Sequence, residues 1–414
     1  MAAKTVVLFG AGATKACGGP LTNEILPQAF EPTVINDIRR EGFTELLDQF
    51  LIENFHLSPQ QADRAESDYP ALPLLLSLID TAIDRNQPMG PDWAVEQLRL
   101  VREALEYTIF ALLEYKLRRL RRNCYKELLD AITPPGGDTP TVISLNYDII
   151  VDNAMVGRND CLPDYGCDIT TERYWQLPHR GTLFKIHGSL NWSYCPACYR
   201  LDLGVTESGR THKMLEELYQ INPLEPRYSC HGFPCPGCET PVEPVLITPT
   251  QLKDYRNPHV QRVWTLADQA LRRAERVIIV GYSLPDDDLD VIYLLKRSLG
   301  QLVRKKPRKI TVVEYTDDDS LRAIDEHPVG RRYRTIFGPD IDWRTDGFEG
   351  LIASLIPRRV RKTKKTPTVQ KAHRAQKPPK GPKATKAQKT QKARKTPKSR
   401  KVRKARAATT ATAR

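Results

Sequence analysis

Several short apolar runs in this chain stop abruptly at glycine or polar side chains, and that repeated stop constrains the fold more than any other feature. Thr5-Val6-Val7-Leu8-Phe9 runs into Gly10-Ala11-Gly12-Ala13-Thr14, and Val142-Ile143-Ser144-Leu145 into Asn146-Tyr147-Asp148. Thr182 to Ile186 leads into His187-Gly188, Arg276 to Val280 into Gly281-Tyr282-Ser283, and Lys309 to Val313 into Glu314-Tyr315. A continuous apolar run suits a strand covered on both faces, as in the parallel sheet of an α/β protein. Ligands of such open sheets bind in the crevice beyond the carboxyl ends of the strands, so the residues after each run face that crevice.

Taken singly, each stop has two readings. Asn146 and Asp148 suit a ligand crevice, and equally an ordinary helix cap that satisfies free backbone donors. Gly-x-Gly lets the backbone turn tightly and approach a phosphate, with a helix start expected at Pro20-Leu21-Thr22-Asn23-Glu24. A plain strand-to-helix turn needs the same glycines. His187, at a strand end beside glycine, has its ring free to face a cleft, although a lone histidine also serves as a packed core residue. Asp286-Asp287-Asp288-Leu289-Asp290 reads as the acid-rich first turn of a helix through Val291, Leu294, Leu295 and Leu299, complementing its dipole.

Apolar residues recur three and four positions apart from Ile35 to about Phe55 and from Trp93 to Ile132, the period of amphipathic helices. Their bland role is core packing. An insertion over 35–132 nevertheless places a helical layer or lid over the crevice.

Nine cysteines include Cys195-Pro196-Ala197-Cys198 and, after 36 intervening residues, Cys235-Pro236-Gly237-Cys238. Each pair supplies two thiolates from one knuckle, and two knuckles complete a tetrahedral zinc site within an insert over 193–242. Cys230 and His231 are alternatives for one ligand. A closed four-thiolate shell has no open position, so the expected zinc is structural. An odd number of cysteines in this pattern fits a reducing compartment, and a cytoplasmic location is expected. Met1 to Ala13 reads as a buried strand and its glycine turn, not as a signal peptide. No stretch of eighteen apolar residues occurs, so no membrane span is expected.

Charge is partitioned sharply. Of 63 Lys and Arg, 23 fall within 357–414, where no Asp or Glu occurs; the preceding body holds 40 basic against all 50 acidic residues. Lys371, Arg374, Lys377, Lys380, Lys383, Lys386, Lys389, Lys392, Lys395 and Lys398 recur every third residue, matching the period of a polyproline II helix. With only Val360, Val369 and Val402 as larger apolar side chains, a segment of this composition is expected to be disordered when free. The expected partner of 358–406 is a nucleic-acid backbone, bound without sequence preference and weakened by salt, which implies association with the nucleoid. A solubilising appendage or an intramolecular partner for the acidic body are the alternatives. A homo-oligomer is compatible with everything above.

In family order, these motifs resemble the sirtuin superfamily, in particular its sirtuin-like branch of bacterial NAD-consuming proteins. Gly10-Ala11-Gly12-Ala13-Thr14 resembles the phosphate loop, Asn146 with Asp148 the Asn-x-Asp segment, and His187-Gly188 the catalytic His-Gly. The two Cys-Pro-x-Cys knuckles resemble the zinc ribbon, and Gly281-Tyr282-Ser283 the late ribose-phosphate turn. The resemblance implies a Rossmann-like parallel sheet with a small zinc lobe over 1–356, and NAD as the bound dinucleotide. Two departures matter. Gly18-Gly19-Pro20-Leu21-Thr22-Asn23-Glu24 stands where protein-deacylating members carry Gly-Ile-Pro-Asp-Phe-Arg, and Leu145 stands where they carry Gln. Both argue against lysine deacylation and for hydrolysis of NAD to nicotinamide and ADP-ribose. On this basis backbone donors of Gly10 to Thr14 are expected to hold the pyrophosphate, and Asn146 to orient the nicotinamide ribose and water. His187 is expected to act as general base, Asp148 to stabilise developing positive charge, and Glu314 to hold the adenosine ribose. Lysine deacylation, and NAD or ADP-ribose sensing without cleavage, are the competing functions.

Overall fold

In the computed structural model, residues 4–40, 42–58, 68–120, 122–133, 139–156, 162–204, 220–221, 230–300 and 309–355 are described. Every described residue belongs to the unit Met1–Arg358, and the basic segment 357–414 lies outside the described residues.

The apolar runs form strands where their composition requires them. In chain order the strands are β1 (Thr5–Phe9), β2 (Thr141–Ser144), β3 (Leu162–Asp164), β4 (His179–Lys185), β5 (Gly188–Tyr194) and β6 (Leu201–Leu203). They continue as β7 (Gln220–Ile221), β8 (Cys230–His231), β9 (Glu243–Leu246), β10 (Arg276–Val280), β11 (Lys309–Val313) and β12 (Asp342–Arg344). Seven of them make one sheet in the order β12-β11-β10-β1-β2-β4-β3, and all its pairings are parallel. From central β1 the chain first fills one side of the sheet and later returns to fill the other. The reversal between β1 and β10 is the switch point at which open α/β sheets bind ligands. Gly281, just past β10, packs against the turn after β1: a Cβ there would lie 2.3 Å from Ala13 N, and its φ of +62° already favours glycine.

The sheet is covered by helices Pro258–Arg273 and Leu289–Leu299, which pack together, and by Cys124–Ile132 and Gly347–Leu355, which likewise pack together. Val7, Leu8, Phe9, Val142, Ile143, Val277, Ile278, Val263, Leu271, Val291, Leu128 and Leu351 belong to this core. Each fully buried side chain of this size contributes about 1.5–3 kcal/mol relative to exposure.

A second core lies apart from the sheet. Helices Ile25–Ala29, Pro32–Ile38, Phe43–Phe55, Leu72–Asp84 and Val95–Leu117 bury Leu26, Val34, Phe50, Leu51, Leu76, Val101 and Leu112 against one another. Leu190, Cys195, Cys235 and Val242 of the cysteine insert share that core. The helical stretch and the cysteine insert thus form one lobe, and the antiparallel sheet β6-β5-β9 joins it to the parallel sheet, with Leu190 in the lobe core and Trp192, Leu201, Leu203 and Val245 in the sheet core. Helix Cys124–Ile132 instead belongs to the sheet core, because periodicity reports that a face is buried but not against what. No helix among the described residues is long and apolar enough to cross a membrane.

Two helix starts differ from expectation. The glycine run is not an extended turn leading to Pro20–Glu24: helix Ala11–Ala16 begins directly after Gly10. The next α-helix waits until Ile25, after a 3-10 turn Thr22–Glu24 whose Glu24 Oε2 accepts from Leu21 N–H at 2.7 Å. Asp288 stands at the N-cap of Leu289–Leu299 but makes no side-chain capping bond. Its carboxylate is engaged elsewhere.

Candidate functional site

The strand ends converge on a cavity of about 480 Å³ between the sheet and the helical lobe, within the roughly 300–1,000 Å³ usual for small-molecule sites. Gly10, Ala11, Gly12 and Thr14 line it from β1, Asn146 and Asp148 from β2, and His187 from β4. Gly281 and Ser283 line it from β10 and Glu314 from β11, with Ile109 and Leu113 contributed by the helical lobe. Ala13 does not: it is fully buried in the sheet core.

At the β2 end Asn146 and Asp148 line the cavity, and both are also bonded to neighbouring groups. Asn146 Nδ2 lies 2.9 Å from both Gly10 O and Thr14 Oγ1, and 3.2 Å from Tyr125 Oη, tying β2 to the glycine turn. The Gly10 carbonyl requires the amide nitrogen on that side. Asp148 Oδ2 accepts from Thr14 Oγ1 at 2.6 Å and Oδ1 from Ile150 N–H at 2.9 Å, a local turn at the start of helix Ile150–Met155. Burial pushes the Asp148 carboxyl up, opposed by the Lys185 ammonium, the Thr14 hydroxyl and the Ile150 N–H. Lys185 is 0% exposed and donates to the carbonyls of Tyr147 and Asp148 and to Asp152 Oδ2, so it clamps the loop that carries both motif residues.

The glycine turn is less open than its composition suggests. Gly10 N–H donates to Val280 O at 3.0 Å, Gly12 N–H to Gly281 O at 2.8 Å and Ala13 N–H to Gly10 O at 3.0 Å. The first two fasten β1 to β10 and the third closes the turn itself, while the Ala11 and Thr14 N–H groups take no part in these bonds.

His187 is fixed from both sides of its backbone. Its carbonyl accepts from Ile247 N–H at 2.9 Å, and the next residue, Gly188, has φ +82° where a Cβ would lie 1.9 Å from Val245 O. The ring is 6% exposed. Nδ1 lies 3.2 Å from the Leu145 carbonyl, which can only accept, so Nδ1 carries the proton. Nε2 is buried with no hydrogen-bond partner among the described residues. Burial lowers the imidazole below its ordinary 6.5; Asp288 pulls it up and Lys253 pushes it down. The ring is therefore neutral at neutral pH with a lone pair on Nε2, the state required of a general base.

Asp288 Oδ1 lies 3.8 Å from that nitrogen and accepts from Lys253 Nζ at 2.8 Å; Oδ2 accepts from Tyr282 Oη at 2.8 Å. Burial works to raise the carboxyl, but His187, Lys253 and Tyr282 outweigh it and hold Asp288 below the ordinary carboxylate range. Across the switch point Glu314 Oε2 is buried without a partner among the described residues, while Oε1 is 3.4 Å from Tyr315 N. Burial raises its carboxyl.

In the helical lobe Cys195 Sγ is 3.4 Å from Cys238 Sγ, and Cys198 Sγ 3.6 Å from Cys235 Sγ; the four sulfurs all lie within 4.8 Å of one another. A tetrahedral shell with Zn–S near 2.3 Å separates its sulfurs by about 3.8 Å. The two knuckles are built alike: Tyr199 N–H donates to Cys195 O and Glu239 N–H to Cys235 O, both at 2.9 Å, and Tyr199 and Glu239 share a φ of +63°. These cysteines fit a structural zinc ion, and among the described residues they are the metal-competent group.

Sequence reasoning missed Tyr125, Lys253 and Asp288. Tyr125 sits on an amphipathic helix whose periodicity announces only packing. Lys253 belongs to no motif, and Asp288 is hidden in an acidic run that helix capping explains equally well.

No model of a known protein family matches the sequence, and no curated protein matches it. Among solved structures the chain is similar to one reported for the mechanism and regulation of Sir2 enzymes, with a TM-score of 0.40 and 14% identity over 86% of this chain and 94% of that one. It is similar to a structure concerned with sirtuin substrate affinity, with a TM-score of 0.39 and 12% identity over 85% of this chain and 91% of that one. It is also similar to a Sir2 structure with a p53 peptide and NAD+, with a TM-score of 0.37 and 15% identity over 85% and 91% of the respective chains.

Proposed function

We propose that the protein is an NAD+ glycohydrolase that releases nicotinamide and ADP-ribose. The observation that carries this reading is His187, which lines the switch-point cavity and whose unprotonated Nε2 has no hydrogen-bond partner among the described residues. The nicotinamide of NAD+ is a cationic leaving group, so cleavage of its bond to ribose needs no general acid. It needs a placed nucleophile, a base to take its proton, and a polar surround for an oxocarbenium-like transition state. In this reading His187 takes the proton, and Asn146 orients the ribose while holding the β2 end to the glycine turn. Asp148 adds negative potential nearby, Ala11 N–H and the Gly281–Ser283 turn meet the phosphates, and Glu314 Oε2 accepts from the adenosine ribose. Cys195, Cys198, Cys235 and Cys238 hold zinc away from the reaction, as scaffold.

The test is a product assay with purified protein, NAD+ and no other substrate. Nicotinamide and ADP-ribose are expected in equal amounts, and Asn146→Ala is expected to lower kcat about a hundredfold in a protein that still melts cooperatively. Product that appears only when an acylated peptide is added would establish the deacylase instead. Binding without product would establish a sensing module.

The same proposal gives the basic segment 358–406 a nucleic-acid partner within a cytoplasmic setting. Its support is charge alone: 23 cationic and no anionic side chains over 357–414. In filter binding, the full chain is expected to retain duplex DNA at low salt, with retention falling steeply as salt rises. A chain ending at Ile356 should retain none; equal retention by both would reject the assignment.

A further inference from the structure

Asp288 has been taken out of water and fixed opposite the base. It is 7% exposed, its two oxygens are held by Lys253 and Tyr282, and Lys253 also donates to Asp287 O at 3.0 Å. Tyr282 is itself pinned, its carbonyl accepting from Tyr333 Oη at 2.8 Å. None of this serves the helix that Asp288 precedes. Oδ1 and the unpartnered His187 Nε2 are 3.8 Å apart, too far for a direct hydrogen bond. A water hydrogen-bonded to both atoms would lie about 2.8 Å from each, to one side of the line that joins them.

Building on the hydrolysis reading, we infer that Asp288 is the second acceptor for the attacking water and thereby selects water over other nucleophiles. Water has two protons, and the site offers two acceptors. One proton points at Nε2 and the other at Oδ1, which leaves an oxygen lone pair free for the ribose C1′. As the C1′–N bond breaks, its electron pair passes to the nicotinamide ring nitrogen and neutralises the pyridinium. The water oxygen bonds to C1′, its first proton passes to Nε2, and the imidazolium so formed is stabilised by the adjacent carboxylate until it releases that proton to solvent. The products are nicotinamide, ADP-ribose and one proton.

An alcohol has only one hydroxyl proton and would leave an acceptor facing a carbon. A site built to satisfy both protons rejects such an analogue. The charged groups that face the imidazole are Asp288 and Asp290 from the start of helix Leu289–Leu299 and Lys253 from the segment after β9; the β2 end presents the Leu145 carbonyl. Asp288 is the nearest anion, so its removal must make the ring harder to protonate.

Two variants separate charge from acceptor geometry. Asp288→Asn removes the charge and keeps the shape, and Asp288→Ala removes the acceptor as well. Histidine-ring NMR of the ligand-free full chain is expected to show His187 titrating at lower pH in Asp288→Asn than in wild type. With NAD+ the acid limb of the kcat profile should move the same way, and kcat should fall about a hundredfold with little change in KM. In aqueous methanol, Asp288→Ala should form several times more methyl-ADP-ribose per ADP-ribose than wild type does. An unchanged His187 titration in folded Asp288→Asn, or an unchanged product ratio in Asp288→Ala beside an active wild type, overturns the role of Asp288 and leaves hydrolysis standing. A wild type that yields no nicotinamide overturns hydrolysis, and the water with it.

Discussion

Cys235→Ser is expected to release the zinc and unfold the helical lobe together with the cysteine insert, while the sheet keeps its own transition. The reason is where the knuckles sit. Cys195 and Cys235 are 0% and 1% exposed and belong to the same core as Phe50, Leu76 and Leu112. In small zinc domains, metal binding supplies about 10–16 kcal/mol of apparent folding free energy at neutral pH. Loss of even part of that outweighs the margin of a domain stable by about 5–15 kcal/mol. The sheet core shares none of these residues, so the result to look for is two melting steps in place of one. Zinc content measured by mass spectrometry should fall from one per chain to none, and a chelator should reproduce the variant. Cys167→Ser, at a cysteine buried in the sheet core, is the control and should keep its metal. A wild type without zinc, or a lobe that melts unchanged after chelation, would contradict the assignment.

His187→Ala is expected to lower kcat for NAD+ cleavage by about 10²–10⁴-fold. The wild-type pH profile should carry a second signature of the same side chain. Burial holds the native imidazole below its ordinary 6.5, so the base form survives into mildly acidic solution. The acid limb of activity should therefore lie below the 6.5 of an unperturbed histidine. Stability follows the same sign. The unfolded chain takes up a proton at His187 as pH falls through 6.5 while the folded chain does not, so stability is full above that value. It declines until the depressed folded pKa is passed. His187→Ala should flatten that part of the stability curve. Stopped assays across pH 5 to 8 and parallel denaturant titrations check both limbs. An acid limb at or above 6.5 would show that the ring is not held neutral as its surroundings require.

Much of this architecture was legible in the residues. The runs at Thr5–Phe9, Arg276–Val280 and Lys309–Val313 read as strands covered on both faces, and four consecutive residues of each are buried. The ends of those runs had to face one crevice, and the cavity is lined by Gly10, Asn146, His187, Gly281 and Glu314. The zinc knuckles were equally plain, since thiolate pairs at that spacing carry their geometry within a few residues of backbone.

What remained hidden depends on distances between segments far apart in sequence. Periodicity could not say that helix Cys124–Ile132 packs on the sheet while Val95–Leu117 builds a second core with Cys195 and Cys235. Composition could not say that the N–H groups of Gly10, Gly12 and Ala13 are already committed. The partners of His187 were beyond local reach as well: Lys253 and Asp288 meet it only because the chain returns from the zinc insert across the switch point. The sequence by itself determined the parallel sheet, the position of its crevice and the identity of the thiolate ligands, because those follow from local burial and local spacing. Only the tertiary structure decided which polar groups in that crevice are spent on one another and which are left free, because hydrogen bonds are short and directional and a sequence carries no distances.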